Sequence, residues 1–160
     1  MRTRVEEKIR MIAERMGKLT YIFEDLTGAN ARLDNEVLPA MVNVLPVSGT
    51  IRITPTQIKH YPKCAFWFVD KVNLDADGDD IQAVVERCID YAYEFILWLN
   101  WSKMIEPIEN TEVNMTVITS DFDSNVVGVL LELVLKEKNG LQLCLDKMPN
   151  DYFDDNERRC

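Results

Sequence analysis

The residues best suited to chemistry in this sequence are the acidic side chains of one short stretch, NLDADGDDIQAVVE at 73–86. A calcium-binding EF-hand loop needs oxygen ligands at positions 1, 3, 5 and 12 and a glycine at position 6. Counting from Asp75 places Asp77 at position 3, Asp79 at position 5 and a glutamate at position 12. Gly78 falls at position 4 instead of 6, so the loop lacks the glycine that its sharp turn requires.

The same stretch has the features of a helix N-terminus. Asp79 is a suitable N-cap, Gln82 three positions later completes a capping box, and Asp80 puts negative charge at the positive end of the helix dipole. We therefore interpret the stretch as a turn and a helix start, and we expect no metal or cofactor. Asp75, Asp77, Asp79 and Asp80 are predicted to form an acidic surface.

Other candidates for catalysis are sparse. His60, the one histidine, lies in a predicted loop, and no GxSxG motif supplies it with a nucleophile. Asp121 and Asp123, together with Glu132, have the residue types of a nuclease carboxylate set, but no lysine or arginine follows them until Lys136. We expect the chain not to be an enzyme. A small metal-dependent nuclease or hydrolase that uses these three carboxylates stays open as an alternative.

The four cysteines are far apart, with no CxxC motif and no neighbouring histidine, so neither a zinc site nor a redox pair is predicted. Reduced and mostly buried thiols are expected instead. The four are Cys64, Cys88, Cys144 and Cys160.

Composition favours one folded domain with an acidic surface. The chain has 160 residues, 47% of them apolar, and a net charge of −9. We assign 1–148 to a single domain and 149–160 to a polar tail. The negative charge opposes adhesion to DNA and suits a basic partner, or a passage through which DNA slides without sticking. Charges near the N-terminus argue against a secretory signal, and no membrane span is predicted.

Hydrophobic periodicity predicts two amphipathic helices. Val5, Ile9, Ile12 and Met16 form a narrow stripe over 4–16 that ends at a glycine. A broader stripe predicts a long helix over about 80–99, formed by Ile81, Val84, Val85, Cys88, Ala92, Phe95, Ile96 and Leu99. Trp98 and Trp101 lie at its end, where one is expected in the core and the other at an interface, or both in the core.

The remaining segments read as strands and loops. We predict a loop-rich connection at 21–36 and strands at 41–45, 64–72, 112–119 and 125–138. Asn139-Gly140 predicts a hairpin over 126–146. The expected fold is α+β, with an antiparallel or mixed sheet packed against the long central helix and an amphipathic helix at the N-terminus.

Four segments carry a resemblance to a known group: FEDLTGANARLD, PAMVNVLPVSGTI, FWFVDKVNLD and SDFDSNVVGVLLELVLKEKNGLQLC. In order and spacing, over about 20–145, the chain resembles small virion proteins encoded beside tail genes in phages and prophages of the Bacteroides group, including crAss-like phages. That group is similar to tail-terminator and neck-ring proteins, which are small α+β subunits arranged as a ring at the tail tube or neck.

The resemblance implies a structural subunit of a phage head-to-tail connector or tail. Its partners would be copies of itself, in a hexamer or dodecamer, and neighbouring neck, portal or tail proteins. DNA would pass without specific binding, and the protein would be made in the host bacterial cytoplasm and end in the virion. Trp98, Trp101, Ile9 and Ile12 are then expected at interfaces, and some of Asp75, Asp77, Asp79 and Asp80 are expected to face the lumen. A monomeric adaptor or assembly chaperone that uses the tryptophans is the other alternative.

Overall fold

A computed structural model describes residues 4–138 and the backbone of a short strand at 141–142. The helices are α1 (Val5–Met16), α2 (Leu26–Leu33) and α3 (Gly78–Ser102). The strands are β1 (Thr20–Glu24), β2 (Ala40–Val44), β3 (Gly49–Ile53), β4 (Gln57–Lys71), β5 (Asn114–Ile118), β6 (Val126–Val134) and β7 (Leu141–Gln142). The α+β prediction is confirmed. The polar tail at 149–160, Cys144, Cys160 and the Asn139-Gly140 turn lie outside the described residues.

The sheet is mixed and is built around β4. Its main strands follow the order β1-β2-β4-β6-β5, in which β1 pairs in parallel with β2 and the other pairs are antiparallel. Gly128 lies in the middle of β6, opposite Val69 of β4. A Cβ atom at this position would overlap the carbonyl oxygen of Phe68, so the close approach of β6 to β4 requires glycine.

The N-terminal part of β4 extends past the main sheet as a hairpin with β3. The register runs from Gly49 opposite Pro62 to Ile53 opposite Ile58. Thr54 closes the turn, because its backbone N donates to Gln57 O at 2.9 Å and its Oγ1 accepts from Gln57 N at 3.0 Å. We call residues 49–62 the hairpin arm. The sequence predicted β4 only from residue 64, and the prediction of a loop around His60 is wrong.

The end of the described chain follows β4 instead of folding back on β6. Leu135 N donates to Pro62 O at 3.1 Å, and Glu137 Oε2 accepts from His60 N at 2.8 Å. Further along, β7 pairs with Gln57 and Ile58 at the base of the arm's turn. The register of β7 on β4 is shifted by two residues from the register of β6 on β4. The predicted hairpin over 126–146 is therefore wrong in its pairing, because β4 and not β6 is the partner of β7.

Helices α1 and α3 cover one face of the sheet. Phe66 and Phe68 of β4 pack against Phe95 of α3, with ring centroids 5.4 and 5.8 Å apart. Ile9 and Ile12 of α1 join this core and are each 1% exposed. Their assignment to a subunit interface is wrong, because the apolar stripe of α1 is buried against its own domain.

The opposite face has a smaller core that includes α2. Ile22 of β1 and Ala29 and Leu33 of α2 pack there beside Trp67 of β4. The interpretation of 21–36 as a loop-rich connection is wrong, because it contains β1 and α2. Asp25 caps α2 by accepting a hydrogen bond from Gly28 N at 2.7 Å, which lets a short helix form from a Gly- and Asn-containing segment.

Candidate interaction surfaces

The acidic stretch begins α3 with a capping box two residues earlier than predicted. Asp77 is the N-cap, and its Oδ1 accepts from Asp80 N at 2.9 Å while Asp80 Oδ2 accepts from Asp77 N at 3.3 Å. Gln82 instead donates to Glu86 Oε1 at 2.6 Å. The prediction of Asp79 and Gln82 as the capping pair is wrong, because Asp77 and Asp80 have the same three-residue spacing and both carry carboxylates.

All four aspartates of the stretch are exposed. Asp77 and Asp80 use carboxylate oxygens for the cap, whereas the side chains of Asp75 and Asp79 make no hydrogen bond or ion pair with the described part of the chain. Between residues 4 and 138, no group of three or more His, Cys, Asp or Glu side chains is close enough to hold a metal ion. The stretch is therefore a helix cap with two free carboxylates beside it.

The second acidic set is not assembled either. Asp123 exchanges two hydrogen bonds with Asn30: Asn30 Nδ2 donates to Asp123 Oδ2 at 2.8 Å and Asp123 N donates to Asn30 Oδ1 at 3.0 Å. Asp121 and Asp123 precede β6, whereas Glu132 lies six residues along that strand, roughly 20 Å from its first residue. The structure thus places Glu132 far from the two aspartates.

The described cysteines are buried free thiols. Cys64 lies on β4 and Cys88 on α3, both in the main core. Burial raises the pKa of each thiol from 9.0 to about 12, so both are protonated near neutral pH. Such thiols pack as small apolar groups and are poor nucleophiles. The prediction of reduced, buried cysteines is confirmed for these two.

A patch of large apolar side chains lies on the outer face of α3. Tyr93, Leu97 and Trp101 recur every four residues, opposite the core-facing side, and are 60%, 49% and 66% exposed. Trp98 is half-buried against the core and meets Trp101 edge to face, with ring centroids 6.1 Å apart. We call Tyr93, Leu97, Trp98 and Trp101 the α3 patch. Isolated exposed apolar residues are ordinary, but a cluster with two tryptophans is typical of an interaction surface.

The same outer face is acidic over the first two-thirds of the helix. Glu86, Asp90 and Glu94 also recur every four residues. Glu94 accepts a hydrogen bond from Lys18 Nζ at 3.0 Å, and Glu86 accepts from Gln82, whereas Asp90 has no hydrogen-bonding or ion-pair partner among residues 4–138. The outer face of α3 therefore changes from acidic to aromatic along its length.

The hairpin arm presents a second exposed apolar surface. Ile51 and Ile53 lie on one face of β3 and are 65% and 73% exposed. The arm is also basic: 49–62 contains two basic residues, Arg52 and Lys59, and no aspartate or glutamate, in a chain with 27 acidic and 18 basic residues. Lys59 is 3.7 Å from Glu106, whereas Arg52 is exposed and has no such partner among residues 4–138.

An apolar groove lies at the base of the arm. It has a volume of about 580 Å³ and runs between the start of α1 and the connection from β2 to β3, with Val5, Ile9 and Phe23 in its lining. Asn43 and Glu6 also line the groove and are linked through Tyr21: Asn43 Nδ2 donates to Tyr21 Oη, and Tyr21 Oη donates to a Glu6 carboxylate oxygen, both at 3.0 Å.

The sequence contained a signal for the α3 patch that the core stripe obscured. Tyr93, Leu97 and Trp101 have the four-residue spacing of one helix face, and none of them belongs to the predicted core stripe. The exposed isoleucines of the arm had no comparable signal, because β3 is exposed throughout and its residues show no alternation of burial. Trp101 lies on the surface as an interface residue must, and its interface role remains a prediction.

Comparison with protein-family models, with curated proteins and with solved structures finds no match for this chain. Among the described residues, no helix is long and apolar enough to span a membrane.

Proposed function

We propose that this chain is a structural subunit of a ring, of the kind found in the head-to-tail connector or tail of a phage virion. The ring would contain six or twelve copies and adjoin neck, portal or tail proteins, and the fold would be of the tail-terminator type. The proposal combines the sequence resemblance with the exposed apolar surfaces of the fold. In a ring, both surfaces would be covered by neighbouring subunits.

The observation that carries the proposal is the exposure of the α3 patch. Tyr93, Leu97 and Trp101 are each about half exposed or more, and they lie on one face of the helix. Apolar patches of this kind are normally covered by a partner. The exposed isoleucines of the hairpin arm add a second such surface on a different part of the molecule. Two separate contact surfaces are what a subunit with two neighbours needs.

The charge of the chain fits a DNA passage. Asp75 and Asp79 are exposed carboxylates without partners in the described residues, and the net charge is −9. In the proposed ring they line the lumen, where negative charge repels the phosphate backbone and prevents DNA from sticking. Changing Asp75 and Asp79 to lysine, with Asp77 and Asp80 kept for the helix cap, tests this role. If DNA passage and infectivity are unchanged, the assignment of these residues to the lumen is wrong.

Oligomeric state is the decisive test of the ring. Light scattering on the purified chain over a range of protein and salt concentrations, with negative-stain images of large species, should reveal a closed ring with a central hole. Added salt should promote assembly, because it screens the repulsion between acidic subunits. A chain that stays monomeric alone and with its neighbouring virion proteins would contradict the proposal.

The same observation favours one second candidate. A monomeric adaptor or assembly chaperone would use the α3 patch to bind one client, and would leave the hairpin arm free. This candidate predicts a stable monomer that binds a client in a one-to-one complex, and that loses binding when Trp101 is replaced by serine. It predicts no ring at any salt concentration.

A further inference from the structure

We propose that the hairpin arm of one copy of this chain docks on the outer face of α3 of the next copy. Ile51 and Ile53 contact the α3 patch, and the positive charge of Arg52, on the other face of β3, attracts the acidic residues of the helix across the arm. The inference rests on the proposed function, since it names the two surfaces through which subunits of the ring join.

The apolar groups on the two surfaces have matching spacings. Ile51 and Ile53 are two residues apart on one strand face, which separates them by about 7 Å. Leu97 and Trp101 are four residues apart on one helix face, which corresponds to about 6 Å along the helix axis. A strand laid along α3 therefore brings both isoleucines over apolar side chains at once. All four side chains are at least 49% exposed in the free chain, so the contact removes apolar surface from water.

The charges of the two surfaces are opposite. The arm is free of acidic residues, whereas α3 contains five acidic residues and one basic residue. Asp90 lies seven residues before Leu97 on the same outer face, about 10 Å along the axis, which is near the Debye length at physiological ionic strength. Arg52 lies between Ile51 and Ile53 in β3, so its side chain is on the opposite face of the strand. Neither Arg52 nor Asp90 has an ion-pair partner among residues 4–138, and their charges attract each other across the thickness of the arm without forming an ion pair. The chain repels itself overall, but this pair of surfaces attracts.

The arm is already ordered for docking. Both of its strands are hydrogen-bonded, β7 flanks the base of its turn, and Thr54 fixes the turn itself. A preformed element loses little conformational entropy on binding, so more of the contact energy appears as affinity. By contrast, a flexible loop of the same composition would lose conformational entropy each time it bound.

The two surfaces differ, so the contact is heterologous. Each copy offers one arm and one α3 face, and contacts of this kind propagate from copy to copy until a ring closes or a filament forms. A contact between two arms, or between two α3 faces, would stop at a dimer.

The test uses two variants with complementary defects in the full chain. Ile51→Ser/Ile53→Ser removes the apolar face of the arm, and Leu97→Ser/Trp101→Ser removes the face on α3. Each variant should weaken self-association at least about tenfold in light scattering. Mixed one to one, they should form a dimer and nothing larger, because only one of the two possible contacts is intact. Val37→Ser, an exposed apolar residue outside both surfaces, should assemble like the unmodified chain.

A charge exchange tests the pairing independently of apolar contacts. Because Arg52 and Asp90 interact at long range, Arg52→Glu and Asp90→Arg should each weaken assembly more at low salt than at high salt, and the double variant should recover it. Far-UV circular dichroism confirms that every variant is folded.

The outcomes separate the two proposals. If the unmodified chain forms rings but the arm or α3 variants assemble equally well, or the mixture contains no dimer, the docking inference is overturned and the ring proposal stands. If the unmodified chain assembles under no condition, both are overturned.

Discussion

Replacing Asp77 by alanine should destabilise the fold, whereas replacing Asp75, two residues earlier, should not. Asp77 accepts the hydrogen bond from Asp80 N and places its charge at the positive end of the α3 dipole. Asp75 is exposed and has neither role. The two residues therefore form a matched pair with identical side chains in one loop, and only Asp77 caps α3.

The size of the effect follows from the cap. Loss of an N-cap carboxylate costs about 1 kcal/mol, and loss of its interaction with the dipole adds about 0.5 kcal/mol. For a chain of this length, about 1.5 kcal/mol lowers the melting temperature by roughly 3 to 6 °C. Asp77→Asn keeps the cap without the charge and should lose only about 0.5 kcal/mol. Asp75→Ala should stay within about 0.5 kcal/mol of the unmodified chain.

Thermal unfolding followed by circular dichroism at low protein concentration measures all three variants. The reasoning fails if Asp75→Ala is as unstable as Asp77→Ala. It also fails if millimolar calcium raises the melting temperature of the unmodified chain by several degrees, since calcium at a hundred times its dissociation constant would add about 2.7 kcal/mol. The first result would mean that Asp75 supports the fold as much as the helix cap does, and the second that the stretch binds a metal.

Three further predictions concern the core. Tyr21→Phe removes the hydroxyl that accepts a hydrogen bond from Nδ2 of buried Asn43 and should cost about 1 to 3 kcal/mol in urea unfolding; a second change, Asn43→Leu, should recover part of this, and strict additivity would refute the pairing. Gly128→Ala should cost at least about 2 kcal/mol in the same assay, and a neutral result would contradict the close approach of β4 and β6. Burial raises the pKa of Cys64 and Cys88 to about 12 from 9.0, so their contribution to stability is complete below pH 9 and is lost as the pH rises towards 12, by at most about 1.4 kcal/mol per group per pH unit. A double cysteine-to-alanine variant should lose stability less steeply between pH 9 and 11; an equal slope would show that other groups cause the loss.

The sequence was informative where burial imposes a period. The stripe that ends at Leu99 predicted α3 to within three residues at each end, and the narrow stripe around Ile9 predicted α1. Both stripes mark helices that lie on a sheet, so apolar residues recur every three or four positions. The aromatic segment around Phe66 likewise predicted the buried part of β4, because a strand covered on both faces is apolar along its whole length.

The sequence was misleading where structure forms without such a period. Helix α2 buries only Ala29 and Leu33, too few residues for a stripe, and its Gly and Asn residues resemble a loop. The segment around His60 was predicted as a loop, yet β4 continues through it and through Pro62, whose carbonyl accepts a hydrogen bond from Leu135 N. Asn139-Gly140 suggested a hairpin, but whether a strand turns back or continues along the same neighbour depends on partners distant in sequence.

The interaction surfaces were predictable only in part. Trp101 was a candidate interface residue from its type and its place at the end of α3, and it lies on the surface. Ile9 had the same apolar character but belongs to the core, because one stripe on a helix is enough to attach it to its own sheet. The two residues are distinguished by position: Ile9 lies on the apolar stripe that attaches α1 to the domain, whereas Trp101 lies off the stripe that attaches α3.

Strand β4 also has a mechanical consequence. Its 15 residues run from the turn of the hairpin arm to the far edge of the core without interruption. A pull on the arm along this axis loads the hydrogen bonds to β2 and β6 in shear, where all of them share the force, instead of opening them one after another. The arm is thus continuous with the central strand of the sheet, and tension applied at its tip is carried into the centre of the sheet.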